Sequence, residues 1–331
     1  MVRDNAFEAL KRRISAGVIV CYHGVALRAP PRSIHVAPAE LTRAVAVLGR
    51  VATLVPLREI VDRARAGRST AGLAAITFDD AYASLLGAAR ELIERESVPV
   101  TLFVVSEAAR VGATFWWDAL ERLAHRLGAA ERRRLLERLG VPAAYRAEGG
   151  GAAVFARLRA WILRDHAGRV PPGFAEAVSA YDVGDGAPAP DRAMTYDELE
   201  RFAALPTVDL GVHTATHPVL PLLPDDEVRR EIRRCHEALC ERWPRALPVL
   251  AVPFGLADAR VIRLAREAGM ATSLTLSDNT LAAAAPGSGL PRLGMTRGDP
   301  VWKLPLRVAG VVERVRGWRT GRMDAAPALP E

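Results

Sequence analysis

The sequence predicts an α/β fold in which parallel βα units wind into a barrel that one block of helices interrupts. Short apolar, β-branched runs at Gly17–Tyr22, Leu73–Phe78 and Val98–Val105 read as buried strands. Segments of helical periodicity separate the strands, the pattern of parallel βα units. Several strand ends carry polar residues, namely His23, Asp79-Asp80 and His213, and a barrel builds its site at the C-terminal ends of its strands.

Taken in order, the first strand ends in Tyr22-His23-Gly24 and is followed by a proline-rich loop, Ala29–Arg32. Pro38–Arg50 places Leu41, Val45 and Leu48 at helical spacing. After Asp79-Asp80, the segment Ala81–Arg95 reads as one amphipathic helix with Leu85, Leu86, Ala89, Leu92 and Ile93 on one side. From about Arg110 to Arg192 no strand signal appears. Phe115–Leu127, Glu131–Leu139 and Val154–Arg164 look helical, and Gly149–Gly151 and Gly184–Pro190 are loops. The pattern then resumes with Thr195 as N-cap and Glu198 at the capping-box position of a helix over Tyr196–Ala204. A strand Val208–Val212 runs into His213, and a long charged helix spans Asp225–Trp243. A strand Val249–Val252 leads to Pro253-Phe254-Gly255, and the helix Ala257–Ala268 has Gly269 just past its end. Thr272–Leu276 and Leu290–Met295 complete the strands. The expected organisation is a barrel from residues 1–109 and 193–300, a helical insertion over 110–192, and a basic C-terminal helix with a tail over 301–331.

The chain has 331 residues, half of them hydrophobic and a quarter charged, the proportions of a globular protein. No apolar run approaches the ~20 residues that span a membrane. The run Ala16–Cys21 is too short for a signal-peptide core. A cytoplasmic location is expected, with peripheral contact at the inner membrane face available to the basic segment Arg307–Arg322, although simple packing of that helix on the barrel serves as well. Three cysteines without a CxxC argue against a disulfide framework or a zinc ribbon. The net charge of +7 comes from scattered arginines, so nucleic acid is not an expected partner.

His213-Thr-Ala-Thr-His217 sets two imidazoles four residues apart, close enough to share one metal ion on a tight loop. Asp80 supplies a third, harder ligand. Two histidines and a carboxylate leave a position open for water, whose pKa a divalent ion lowers. Asp79 and Asp80 are adjacent, so their side chains point in different directions and can divide the labour of general base and ligand. Taken alone, an Asp pair also suits a helix N-cap.

Thr77-Phe-Asp-Asp-Ala-Tyr82, His213-Thr-Ala-Thr-His-Pro218 and Val252-Pro-Phe-Gly255 resemble, in order, the first three motifs of the polysaccharide deacetylase family (NodB homology, carbohydrate esterase 4). The resemblance covers roughly residues 17–295 apart from the insertion. It implies a distorted (β/α)7 barrel and hydrolysis of an N-acetyl, sometimes O-acetyl, group on a sugar, glycolipid or glycoside. By motif, Asp79 resembles the catalytic base. Asp80, His213 and His217 resemble the ligands of a divalent metal, usually zinc, with cobalt, nickel or manganese as alternatives. Pro253, Phe254, Gly255 and Tyr82 line the substrate groove, and the backbone N–H of Phe254 helps to hold the oxyanion.

Two departures from the family pattern matter. The arginine that often pairs with the base is replaced by Ala251 or Val252, and Arg292 at the last strand is the expected substitute. No histidine follows His236 to act as the late general acid, so His23, at the end of a strand beside the last one, is the expected replacement. The adjacent Trp116 and Trp117 either stack on a sugar or, more commonly for such residues, pin the insertion to the core. His35, His125, His166 and His236 read as structural. The rival readings are a metal-dependent amidohydrolase acting on a non-sugar amide, and a non-catalytic glycan-binding relative.

Overall fold

The computed structural model describes residues 14, 16–27, 33–146, 149–181, 191–277, 281 and 288–309. Its strands are β1 (Val18–Tyr22), β2 (Gly24–Val25), β3 (His35–Val36), β4 (Thr53–Leu54), β5 (Leu73–Phe78), β6 (Val100–Val104), β7 (Val208–Val212), β8 (Leu247–Ala251), β9 (Thr272–Leu276) and β10 (Leu290–Gly294). β1 pairs with both β5 and β10, and β5 through β10 pair in sequence. Seven parallel strands thus close into a barrel, while the two-residue β4 adds to the start of β5.

The two-residue period of the strands sorts their side chains into two layers. Ile19, Ala75, Phe103, Val249, Ala251 and Leu274 form a small inner cluster, which Leu57, Ile60 and Val61 of the helix Leu57–Arg65 join. The alternate residues Val18, Val20, Ile76, Leu102, Val212 and Leu250 belong to the large outer core beneath the helices. Gly211 on β7 makes the interior fit, because a Cβ there would lie 2.5 Å from Cε1 of Phe103.

Between β6 and β7 the described residues form helices at Ser106–Val111, Trp116–Arg126, Ala129–Arg138, Gly151–Asp165, Phe174–Ser179 and Tyr196–Ala203, with no named strand. The last of these has the capping box read from sequence. Thr195 Oγ1 accepts from Glu198 N at 3.3 Å, and the Glu198 carboxylate accepts from Thr195 N at 2.8 Å.

One expectation needs correction. Ala81–Arg95 is not one helix, because Ala81 has left-handed backbone at φ 50°. A single 3-10 turn follows at Ala83–Leu86, and the α-helix begins only at Ala88. The helix Leu57–Arg65 and the two-residue β4 were not expected, although Leu57, Ile60 and Val61 stand at helical spacing on the buried face of that helix. The basic segment expected at Arg307–Arg322 lies outside the described residues beyond Ala309; Leu304–Val308 is a short helix packed near the helix Pro38–Val51.

Candidate metal and catalytic centre

β5 delivers the aspartate pair. Asp79 continues the pairing with β1, donating its N–H to Tyr22 O at 2.9 Å. Asp80 and Ala81 then take left-handed backbone at φ 65° and 50°, turning the chain so that the two carboxylates diverge. β7 delivers the histidines. His213 N donates to Val104 O at 3.0 Å, and Thr214 reverses the chain at φ 66°. Thr214 Oγ1 accepts from His217 N at 3.0 Å, closing the turn. Helix Asp225–Arg242 clamps the same loop, because the buried Glu231 carboxylate accepts from Thr216 N at 2.9 Å and from Thr216 Oγ1 at 2.7 Å. Five of the seven non-glycine residues with positive φ among the described residues lie here: Asp80, Ala81, Thr214, His217 and Phe254. Such backbone persists only where surrounding packing enforces it.

The result is a triangle of donors. Asp80 Oδ1 lies 3.5 Å from Nε2 of both His213 and His217, and the two Nε2 atoms are 3.2 Å apart. Ligands at ~2.05 Å around a tetrahedral zinc are separated by roughly 3.3 Å, so these spacings fit one ion. Two further features agree. Asp80 Oδ1 is buried without a hydrogen-bond partner, and His213 Nδ1 donates to Ala251 O at 2.7 Å, which leaves Nε2 as the free lone pair. Burial lowers the pKa of both imidazoles, keeping them neutral. Burial, then the neighbouring Asp79 and Asp118 charges, raises that of Asp80, a cost that a cation would remove.

Asp79 has a different environment. Arg292 of β10, wholly buried, donates to both its oxygens at 2.6 and 2.7 Å and also touches Thr77 Oγ1. Burial pushes the Asp79 carboxyl up, but the Arg292 guanidinium outweighs it and holds the group well below the usual carboxylate range. His23 follows β1, and its nearest ring nitrogen, a carboxylate oxygen of Asp79 and Cys21 Sγ lie within 4.8 Å of one another. Burial lowers His23 to about 4.

Trp117 packs on His217 at 4.7 Å between ring centroids, and Phe254 packs on it at 4.5 Å. Both indole N–H groups are already used, Trp116 to Gly168 O at 3.0 Å and Trp117 to Tyr82 Oη at 2.8 Å. Tyr82 is fully buried and donates to Asp118 Oδ2 at 2.6 Å, while His35 Nε2 meets Asp118 Oδ1 at 3.0 Å. Pro253, Phe254 and Gly255 form a tight 3-10 turn at the end of β8.

Sequence reasoning missed four residues beside this centre. Cys21 Sγ lies 3.4 Å from Asp79 Oδ2. His35, read as structural, and Asp118 form the knot under Tyr82. Glu231 left a signal, as a carboxylate on the buried stripe Val228, Ile232, Cys235 and Leu239 of a charged helix.

Comparison with known proteins agrees with this architecture. The family model described as polysaccharide deacetylase matches residues 182–273, which hold both histidines and the Pro253–Gly255 turn. None of the curated proteins compared matches the sequence. Among solved structures, the Streptococcus pyogenes deacetylase PplD in complex with acetate is similar at TM-score 0.56 and 12% identity, covering 88% of this chain and 97% of that one. IcaB from Ammonifex degensii is similar at TM-score 0.56 and 16% identity, covering 89% and 97%. A Bacillus cereus polysaccharide deacetylase is similar at TM-score 0.55 and 13% identity, covering 88% and 68%. These identities establish a shared fold, and the match to the polysaccharide deacetylase model is confined to residues 182–273 of the 331.

Proposed function

We propose that the protein hydrolyses an N-acetyl group on a sugar-containing substrate, with Asp80, His213 and His217 holding a divalent cation, zinc by preference, and Asp79 acting as general base. The observation that carries the reading is the donor triangle of 3.5, 3.5 and 3.2 Å beside a carboxylate held ionised by Arg292. A divalent cation there would acidify an attacking water and polarise the acetyl carbonyl.

The chain's own groups divide the remaining work. Asp79, held low by Arg292, is a weak base, suited to accepting a proton from an acidified water. The water oxygen forms a bond to the acetyl carbon, and the backbone N–H of Phe254 would support the developing oxyanion. His23 is neutral at pH 7 because burial lowers it to about 4. Its coherent role is that of a relay: it takes over the proton that Asp79 accepted and passes it to the departing nitrogen as the C–N bond breaks. The products are acetate and the amine.

The test is metal analysis of purified protein combined with acetate release from N-acetylhexosamines. Asp79→Asn should keep the metal and lose turnover, whereas Asp80→Asn should lose both. Full activity after complete chelation, or turnover by Asp79→Asn at the wild-type rate, refutes the assignment.

A further inference from the structure

A cavity opens against the candidate centre. Its volume is about 580 Å³, and it runs from His217 and Thr216 to Phe115–Trp117 and on to Val170, Phe174 and Val178. That size lies within the range of roughly 300–1,000 Å³ typical of small-molecule sites and far exceeds an acetyl group.

Most polar groups of its wall are committed elsewhere, although His217 Nδ1 is buried without a hydrogen-bond partner. Glu107 is bound by Arg110 at 3.1 Å and by Arg234 at 2.7 Å. Arg122 pairs with Asp191. Thr216 Oγ1 donates to Glu231, and the indole N–H groups of Trp116 and Trp117 donate to Gly168 O and Tyr82 Oη. What faces the cavity is therefore mainly aromatic and aliphatic. A sugar ring would lose its water here and find few partners, which is costly. An uncharged apolar group would gain from every carbon it buries. At the rim, Val170 is 43% exposed although it belongs to this apolar wall.

We propose that this cavity takes an uncharged, apolar aglycone, an alkyl chain or ring carried by the sugar whose amide is cleaved. The inference rests on the deacetylase reading for its location. Since the acyl group removed there is acetyl, the part of the substrate long enough to reach Val170 is the aglycone.

The test compares methyl and octyl glycosides of N-acetylglucosamine. Each buried methylene is worth about a fourfold gain, so wild-type kcat/KM for the octyl glycoside exceeds that for the methyl glycoside at least tenfold. Val170→Asp places a charge on the rim and should collapse the octyl-to-methyl ratio to within threefold. Equal kcat/KM for the two glycosides in the wild type, or a preference that Val170→Asp leaves intact, overturns the proposal. So does preferential hydrolysis of an N-octanoyl over an N-acetyl methyl glycoside, which would assign the cavity to the acyl group. A tryptophan-fluorescence titration with octyl glucoside below micelle formation reads binding without chemistry. It should saturate in the wild type and weaken at least fivefold in Val170→Asp. If no glycoside releases acetate, the deacetylase reading fails by itself, and the titration decides this one: saturable binding that Val170→Asp weakens upholds the cavity, and its absence overturns it.

Discussion

Replacing Arg292 by Met removes the guanidinium that sits on Asp79 while keeping most of the side-chain volume. The pair is deeply buried, with Arg292 0% and Asp79 2% exposed, and it is joined by two bonds of 2.6 and 2.7 Å. Removing one member leaves a buried charge without its counterpart, which costs about 3–5 kcal/mol. For a chain of this size that corresponds to a fall in Tm on the order of 10 °C. Asp79→Asn strands the arginine and should cost a similar amount. The double variant Asp79→Asn with Arg292→Met strands neither, so its loss should be smaller than the sum of the two by at least ~2 kcal/mol. Urea unfolding of the four proteins at one pH measures the cycle. A loss below ~1 kcal/mol for Arg292→Met, or additivity within ~0.5 kcal/mol, would show that the pair is not the buried, mutually dependent unit described above.

Gly24→Ala sets a methyl 1.9 Å from His35 Nδ1, so the imidazole must leave Asp118; we expect a loss of about 1–3 kcal/mol, read as a lower Tm. Asp118→Ala removes the acceptor of Tyr82 and His35 and should cost about 2–4 kcal/mol in denaturant unfolding, with Asp118→Asn milder; an unchanged midpoint for the alanine variant counts against the knot. Glu198 is lowered to about 2, first by its hydrogen bonds to Arg192 and then by those to Thr195, against the opposing effect of burial. A depressed folded pKa gives stability that is present above the unfolded value of about 4.3 and is lost as pH falls towards 2. Glu198→Gln should therefore flatten the stability–pH curve between about pH 4.5 and 2, and a curve parallel to that of the wild type would refute the assignment.

The donors were legible because each closes a strand in short motifs whose spacing survives in the fold: Asp79-Asp80 after β5 and His213-x3-His217 after β7. Arg292 was legible as the one cation on a late, otherwise apolar strand, and the structure sets it on Asp79. The Asp118 knot was not legible, because it depends on where the helix Trp116–Arg126 docks, and no local pattern encodes that contact between residues 35, 82 and 118. Ala81–Arg95 was misread because hydrophobic spacing is blind to backbone sign. Leu85, Leu92 and Ile93 are buried as a helix would bury them, although the chain between Asp80 and Gly87 is a turn and a 3-10 piece.

At the barrel mouth, the chain keeps Asp80, Ala81, Thr214, His217 and Phe254 in a conformation that glycine would adopt with ease. Glycine, however, would wander among several basins of nearly equal energy. A residue bearing a Cβ, once the packing has forced it across, has few neighbouring states to visit. The mouth is therefore a stiff tripod whose spacing is fixed as the barrel folds, so that a cation bound under the proposed function would ask for little further ordering of the protein and would lose little of its binding energy to arranging the donors.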